Sequence, residues 1–198
     1  GLHTNICAGK PVSPARYIPS LIGEGGEVHG SRIFRQAKED FISLDEVILE
    51  IEAQYERFTA LTGQKPDYFE GHAVQSRNFC KGLEIVARRH SCDYLAFDAS
   101  GKIPFRNSLL YLPSSEKLSD KSALKNMSQA FIDTLELYKD RDTIEMYICH
   151  PGYLDQYLME HSSLTERRAY EVQMLCDTKV IKWLKDNQIK VIKYSEVK

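Results

Sequence analysis

Apolar and polar positions alternate in type along the chain, and the alternation predicts strands interleaved with helices. Residues 1–7, Gly1-Leu2-His3-Thr4-Asn5-Ile6-Cys7, read as an opening strand. From Ala8 to about Gly30 the apolar pattern breaks on Gly9, Pro11, Pro14, Pro19 and the cluster Gly23-Glu24-Gly25-Gly26. A loop of this length inside a domain is usually functional. Ser43 and Glu46 make a capping-box pattern, and Val47, Ile48, Ile51, Tyr55 and Phe58 follow at helical spacing until Gly63 stops the helix.

Further along, Asp67-Tyr68-Phe69-Glu70 predicts a short strand running out into Gly71-His72. A helix is expected from about Gln75 to His90, then a buried strand from Cys92 to Asp98. Residues 99–118 read as irregular, and Ser119-Asp120 as the opening of a helix to about Asp140. Thr143 to Cys149 is the next expected strand, leading into His150-Pro151-Gly152. Ser163 and Glu166 suggest a second capping box, Asp177 caps a further helix ending near Asn187, and Ile189 to Tyr194 is the last expected strand. About five strands alternating with helices predict an α/β fold with a mostly parallel sheet. A small open sheet and a (β/α) barrel lacking its opening both fit that count.

With 198 residues the chain suits one domain, two at most. Its 26 basic and 28 acidic residues leave a net charge of −2, so no broad electrostatic footprint for nucleic acid or an anionic membrane is expected. No secretory leader and no apolar run of about 20 residues is visible. The five cysteines, Cys7, Cys80, Cys92, Cys149 and Cys176, are widely spaced without a C-x-x-C, which disfavours a disulfide framework or a structural zinc site. A reducing cytoplasm is the expected compartment. The chain opens at Gly1, directly into the first strand, as a fragment or a processed chain would.

Candidate chemistry collects where α/β folds place their active sites, beyond the carboxyl ends of strands. One predicted strand runs into Glu70-Gly71-His72, another ends at Asp98, a third runs into His150-Pro151-Gly152, and His3 lies in the opening strand. Histidine with carboxylate suits zinc and related divalent metals, and a further imidazole suits proton transfer near neutral pH. At each position an ordinary core or surface role stands beside this one. His29, His90 and His161 read as surface residues, and the Arg88-Arg89 and Arg167-Arg168 pairs as solvated faces.

The ordered motifs resemble one family over essentially the whole chain. Gly1-Leu2-His3-Thr4-Asn5-Ile6 followed by Gly9-Lys10-Pro11-Val12-Ser13-Pro14 is similar to the GLHLNLT-x-GKPVSP segment of the YdjC-like (ChbG/HpnK) carbohydrate deacetylases. Pro66 to His72 is similar to its P-x-H-x-D-S-H strand, and Cys149 to Asp155 to its HPGY-x-D segment. Ser162-Ser163, Arg167, Glu171 and Leu175 follow its S-S-Y…R…E-L…L helix. The chain departs from the pattern at Tyr68, Glu70 and Ala73-Val74-Gln75, where the family carries histidines and an aspartate, and these changes bear on substrate preference.

The resemblance implies a distorted seven-stranded (β/α) barrel of polysaccharide-deacetylase type, N-terminally truncated in this chain. It implies a single domain over 1–198 that hydrolyses N-acetyl groups from amino sugars or short oligosaccharides with a divalent metal, Mg or Zn. His3 and His72 map onto metal ligands and His150 onto the proton donor; Glu70, Asp98 and Tyr153 are expected to line the substrate site. The family's aspartates belong to an Asp-Asp pair ahead of the GLH segment, so this chain by itself is expected to bind metal weakly and be inactive. The expected partner is a small N-acetylated sugar, with neither nucleic acid nor membrane, and a homodimer is compatible. The alternatives are a non-catalytic carbohydrate-binding protein of the same fold, and an unrelated (β/α) enzyme such as an aldolase or isomerase, which would call for a strand-borne lysine or a phosphate loop.

Overall fold

Parallel pairing begins at the first residues. In a computed structural model, which describes residues 1–97, 100–113 and 121–198 without the side chains of 121–123, β1 (Leu2–Thr4) lies beside β2 (Tyr68–Gly71), and β2 beside β3 (Asp93–Tyr94). Register is fixed by Leu2 opposite Phe69, His3 opposite Glu70 and Thr4 opposite Gly71. The chain divides into two compact units. One comprises Gly1–Ala99, Ile103–Ser108 and Lys198; the other comprises Ser100–Lys102 and Leu109–Val197.

The first unit is organised by two helices. α1 (Ser31–Gln36) is short, whereas α2 (Leu44–Thr62) and α3 (Arg77–Arg89) pack against each other over the sheet. Their apolar faces bury Val47 and Ile51 from α2, Phe79, Leu83 and Val86 from α3, and Phe69 from β2. α2 ends as expected, on Gly63 at φ 72°, a left-handed position that glycine occupies without a Cβ penalty. Its start departs from the expected capping box. Ser43 makes no side-chain cap bond; Glu46 Oε2 accepts from the Ser20 N–H at 2.6 Å, and the Ser43 N–H donates to Ser20 Oγ at 2.8 Å. A residue of the long loop has taken both halves of the box, because the helix start is docked against that loop. The loop itself is three short 3-10 turns rather than formless chain.

α2 also carries a buried carboxylate that fixes this loop. Glu50 is fully buried and accepts from the Val12 N–H at 2.9 Å and the Ser13 N–H at 2.8 Å, while Gln54 Nε2 donates to it at 2.8 Å. Filling its lone pairs with amides is what makes burial of such a group tolerable.

In the second unit, α4 (Met127–Glu136), α6 (Glu166–Cys176) and α7 (Thr178–Asp186) pack around Met127, Phe131, Leu135, Met174 and Val180. A short α5 (Gln156–His161), not anticipated from the sequence, precedes α6. Asp177 caps α7 as expected, accepting from the Lys179 N–H at 2.9 Å. The Ser163 box does not form: α6 starts after Thr165, which makes no side-chain cap bond, and Ser162 Oγ serves the local turn through Leu164 instead.

Three strand expectations are corrected. β4 (Lys102–Phe105) and β5 (Ser108–Tyr111) occupy a stretch read as irregular; Ile103, Phe105 and Leu110 are buried while Lys102 and Pro104 face out. Their period-2 pattern is hidden by Pro104 and by the charged residues around it. β5 pairs in parallel with β6 (Ile144–Glu145), a two-residue remnant of the longer strand expected over 143–149. Ile189 to Tyr194 is no strand: Val191 is exposed, and the chain passes into a 3-10 turn at Tyr194–Glu196 whose Tyr194 hydroxyl donates to Met146 Sδ at 3.0 Å. β propensity alone does not make a strand without a neighbouring edge. The architecture is mixed α/β with two small sheets, and the described residues do not show a closed seven-stranded barrel. No helix among them is long and apolar enough to cross a membrane.

Candidate active site

Three of the expected residues meet on one face of the first sheet. His3 and Glu70 are register partners on adjacent parallel strands. His72 lies two residues beyond Glu70, and alternation along a strand returns residues i and i+2 to the same face. His3 Nδ1 lies 3.0 Å from Glu70 Oε1, and His3 Nε2 lies 2.9 Å from His72 Nδ1. The two imidazoles meet edge to face at 5.0 Å between centroids. Glu70, expected to touch substrate, is thus engaged with His3.

The backbone around His72 is tightly specified. The His72 N–H donates to Thr4 C=O at 2.8 Å, extending the parallel ladder by one rung beyond β2. The Val74 N–H then closes on His72 C=O at 2.7 Å across Ala73, which adopts φ 55°. That left-handed turn at a non-glycine residue is a strained way to end a strand. Gly71 is required by packing: a Cβ there would stand 2.8 Å from Phe79 Cε1 and 3.1 Å from Leu83 Cδ1. β2 therefore lies directly on α3 between Glu70 and His72.

Burial tunes the neighbours. The Cys7 thiol, which donates to His72 C=O at 3.7 Å, is pushed up by burial against the opposing pull of Arg35. Burial, then the negative charges of Glu70 and Asp67, push the Tyr68 phenol up. Past His72, a cavity of about 520 Å3 opens between residues 34–41 and 73–77. Arg35, Lys38 and Arg77 bring positive charge to it. Its Asp40 is engaged, accepting from Ser76 Oγ at 2.9 Å and the Asn78 N–H at 2.7 Å.

The pair of imidazoles fits a divalent cation as two of its ligands. Metal–nitrogen bonds of about 2.0–2.1 Å place neighbouring ligand atoms roughly 3 Å apart, the spacing seen between His3 Nε2 and His72 Nδ1. A carboxylate on the other nitrogen is the usual support of a ligating imidazole. Among the described residues, no group of three or more His, Cys, Asp and Glu side chains converges on one point.

His150 lies in the second unit. Its side chain is on an exposed residue of the chain that follows β6, and its backbone is held from α6. The His150 N–H donates to Glu171 Oε2 at 2.6 Å, and Arg168 Nη1 donates to His150 C=O at 3.3 Å. Arg167 Nε donates to Glu171 Oε1 at 2.7 Å. The Arg167-Arg168 pair is thus no solvated face; both guanidinium groups serve this segment. Tyr153 is 86% exposed, and Asp98 lies outside the described residues.

Sequence reasoning named no role for Glu171, Arg168 or Glu50. Arg167 and Glu171 do stand at i,i+4 spacing, which was legible as a helical ion pair, but the backbone N–H that Glu171 accepts from lies 21 positions away, at His150. Of the other histidines, His29 packs edge-on against Phe41, and His90 stacks on Tyr55 at 3.7 Å with Nε2 2.5 Å from Glu52 Oε2.

Comparison with known proteins places the chain among relatives over most of its length. The sequence model of the family described as YdjC-like protein matches residues 1–186. A protein of Listeria innocua named carbohydrate deacetylase 2 is 28% identical, over all of this chain and 76% of its own length. A chitooligosaccharide deacetylase of Proteus mirabilis is 30% identical over 80% of this chain, which spans 62% of that relative. A crystal structure from Enterococcus faecalis, of a protein named for cellobiose-phosphate cleavage, superposes with a TM-score of 0.78 at 20% identity, covering 98% of this chain and 76% of its own. With a family match over nearly its whole length, this chain belongs to the YdjC-like protein family.

Proposed function

We propose that the chain is a carbohydrate N-deacetylase, hydrolysing the acetamide of an N-acetylated amino sugar or short oligosaccharide. The observation that carries the reading is the convergence of His3 and His72, with Glu70 behind His3, in a chain whose relatives are named carbohydrate and chitooligosaccharide deacetylases.

His3 and His72 would hold the divalent ion, magnesium or zinc. Bound there, such an ion supplies Lewis acidity toward an acetyl carbonyl and toward water. Glu70 accepts from His3 Nδ1–H and so fixes the tautomer that leaves Nε2 as the donor atom. Ala73 and Gly71 hold the backbone on either side of His72, so the imidazole keeps its aim. The cavity beside residues 73–77 is of a size to take one or two sugar rings, and its mixed charged lining offers donors and acceptors to hydroxyl groups.

In the reaction, water adds to the acyl carbon, the C–N bond breaks, and acetate and the free amine leave. The departing nitrogen needs a proton, and His150 is the residue proposed to give it. Its exposed imidazole on a backbone tied at both N–H and C=O suits that task. The test is acetate release from an N-acetylglucosamine oligomer by the full-length protein with added Mg or Zn. Release that falls at least about a hundredfold in His150→Ala supports the reading. Binding of the oligomer with no acetate from the unmutated protein overturns it in favour of a sugar-binding role.

A further inference from the structure

The chain at His150 is gripped from one helix at three points, two on the His150 backbone and one on Gly152. Glu171 takes the His150 N–H, Arg168 donates to the His150 carbonyl, and the Gly152 N–H donates to Arg168 C=O at 3.3 Å. Arg168 is itself fixed, its Nε donating to Leu164 C=O at 2.8 Å. Glu171 is 1% exposed, and each of its oxygens has a charged or amide donor, Arg167 Nε on one and the His150 N–H on the other. Desolvating a carboxylate is unfavourable unless its lone pairs are filled. Here one of the two fills is the peptide that bears the imidazole, and none of the contacts engages the imidazole itself. On the N-terminal side, Tyr147 and Cys149 pack on the core around Met127 and Phe131.

We propose that Glu171 is a positioning residue for His150, with Arg168 as its second hold. Resting on the deacetylase reading above, this assigns the pair a role in catalysis that runs through His150 alone. The clamp fixes the peptide planes on both sides of the His150 Cα, and the imidazole projects from a backbone with little freedom to drift. A proton donor gains most from such placement in the transition state, so loosening it lowers kcat rather than raising KM.

Glu171→Gln is the test. Its amide can offer an oxygen to the His150 N–H only by turning its own N–H2 group toward Arg167 Nε, two donors face to face. We expect a roughly tenfold lower kcat with KM within about twofold, and no further loss when the change is made in His150→Ala. Adding Arg167→Met to Glu171→Gln removes the donor conflict and should restore kcat to within about threefold. In NMR spectra the His150 imidazole resonances should shift and broaden in Glu171→Gln while those of His161 stay in place. Unchanged kcat with unchanged His150 resonances overturns the proposal, as does an undiminished Glu171→Gln loss in the His150→Ala background. Should His150→Ala leave acetate release intact, the deacetylase role of His150 fails instead, and the imidazole resonances alone decide whether Glu171 fixes it. If Glu171→Gln does not fold, Arg168→Gln replaces it: a smaller shift of the His150 resonances supports the clamp, and none refutes it.

Discussion

His3 Nε2 and His72 Nδ1 stand 2.9 Å apart, although 69 positions separate them in the chain. Parallel register brings them together: His3 pairs with Glu70, and the His72 N–H continues the same ladder onto Thr4 C=O. That register leaves the two ring nitrogens aimed at each other, and the carboxylate between them in sequence, Glu70, supports the first imidazole from behind.

Metal affinity should depend on both imidazoles. His3→Ala and His72→Ala are each expected to weaken zinc binding by more than about tenfold, read by calorimetric titration of the full-length protein. Retention of zinc by both variants would remove them as ligands.

Glu70 should act on the metal only through His3. Glu70→Ala is expected to lower zinc affinity by roughly tenfold, and Glu70→Gln by less, since a carbonyl oxygen can still accept from Nδ1–H. An unchanged affinity in Glu70→Ala would show that the His3 orientation is set elsewhere.

The long loop depends on a carboxylate it does not contain. Glu50→Gln should destabilise the protein by about 2 kcal/mol, because an amide N–H2 would oppose the Val12 or Ser13 N–H inside a buried site. Hydrogen exchange should locate the effect, with the Val12 and Ser13 amides losing protection before those of α3. Equal loss across both would mean a general fault in packing.

Asp177 gives a pH signature. A hydrogen bond from Ser128, then one from the Lys179 N–H, holds its carboxyl below the usual carboxylate range. A carboxyl lowered in the folded state adds stability above its unfolded value, about 3.9, and the contribution disappears as pH falls through the lower folded value. The stability gap between the unmutated protein and Asp177→Ala should therefore be full at neutral pH and shrink in acid. A gap that is constant from pH 7 to about pH 3 would contradict this.

The thiols should separate by burial. Burial pushes Cys7 and Cys149 up, with Glu171 adding to the effect at Cys149, whereas Cys176 is exposed. Since the thiolate is the reactive form, iodoacetamide at neutral pH should label Cys176 first, with Cys7 and Cys149 following only as pH rises or the chain unfolds. Mass spectrometry of partly labelled protein reads the order.

Much of the fold was legible because local signals agreed with it. The span of α2 followed from its apolar spacing and from Gly63, α3 from its periodicity, α7 from Asp177, and the α/β alternation from the order of elements. Where the sequence misled, a distant partner had intervened. Ser20 replaced the Ser43–Glu46 box, and the tail at Ile189 to Tyr194 found no ladder. Between Ile103 and Leu110 the reverse held, and buried alternation made strands through a proline.

The site divides in the same way. Sequence by itself determined where residues able to carry chemistry stand, since imidazoles and carboxylates at strand ends are a matter of composition and order. Only the tertiary structure decided what each one does: that Glu70 supports His3, that Glu50 holds the loop, and that Glu171 and Arg168 hold His150 by its backbone. A buried carboxylate is placed by the amides that fill its lone pairs. The backbone amides among them come from chain segments between 21 and 38 residues away, where no local pattern can point to them.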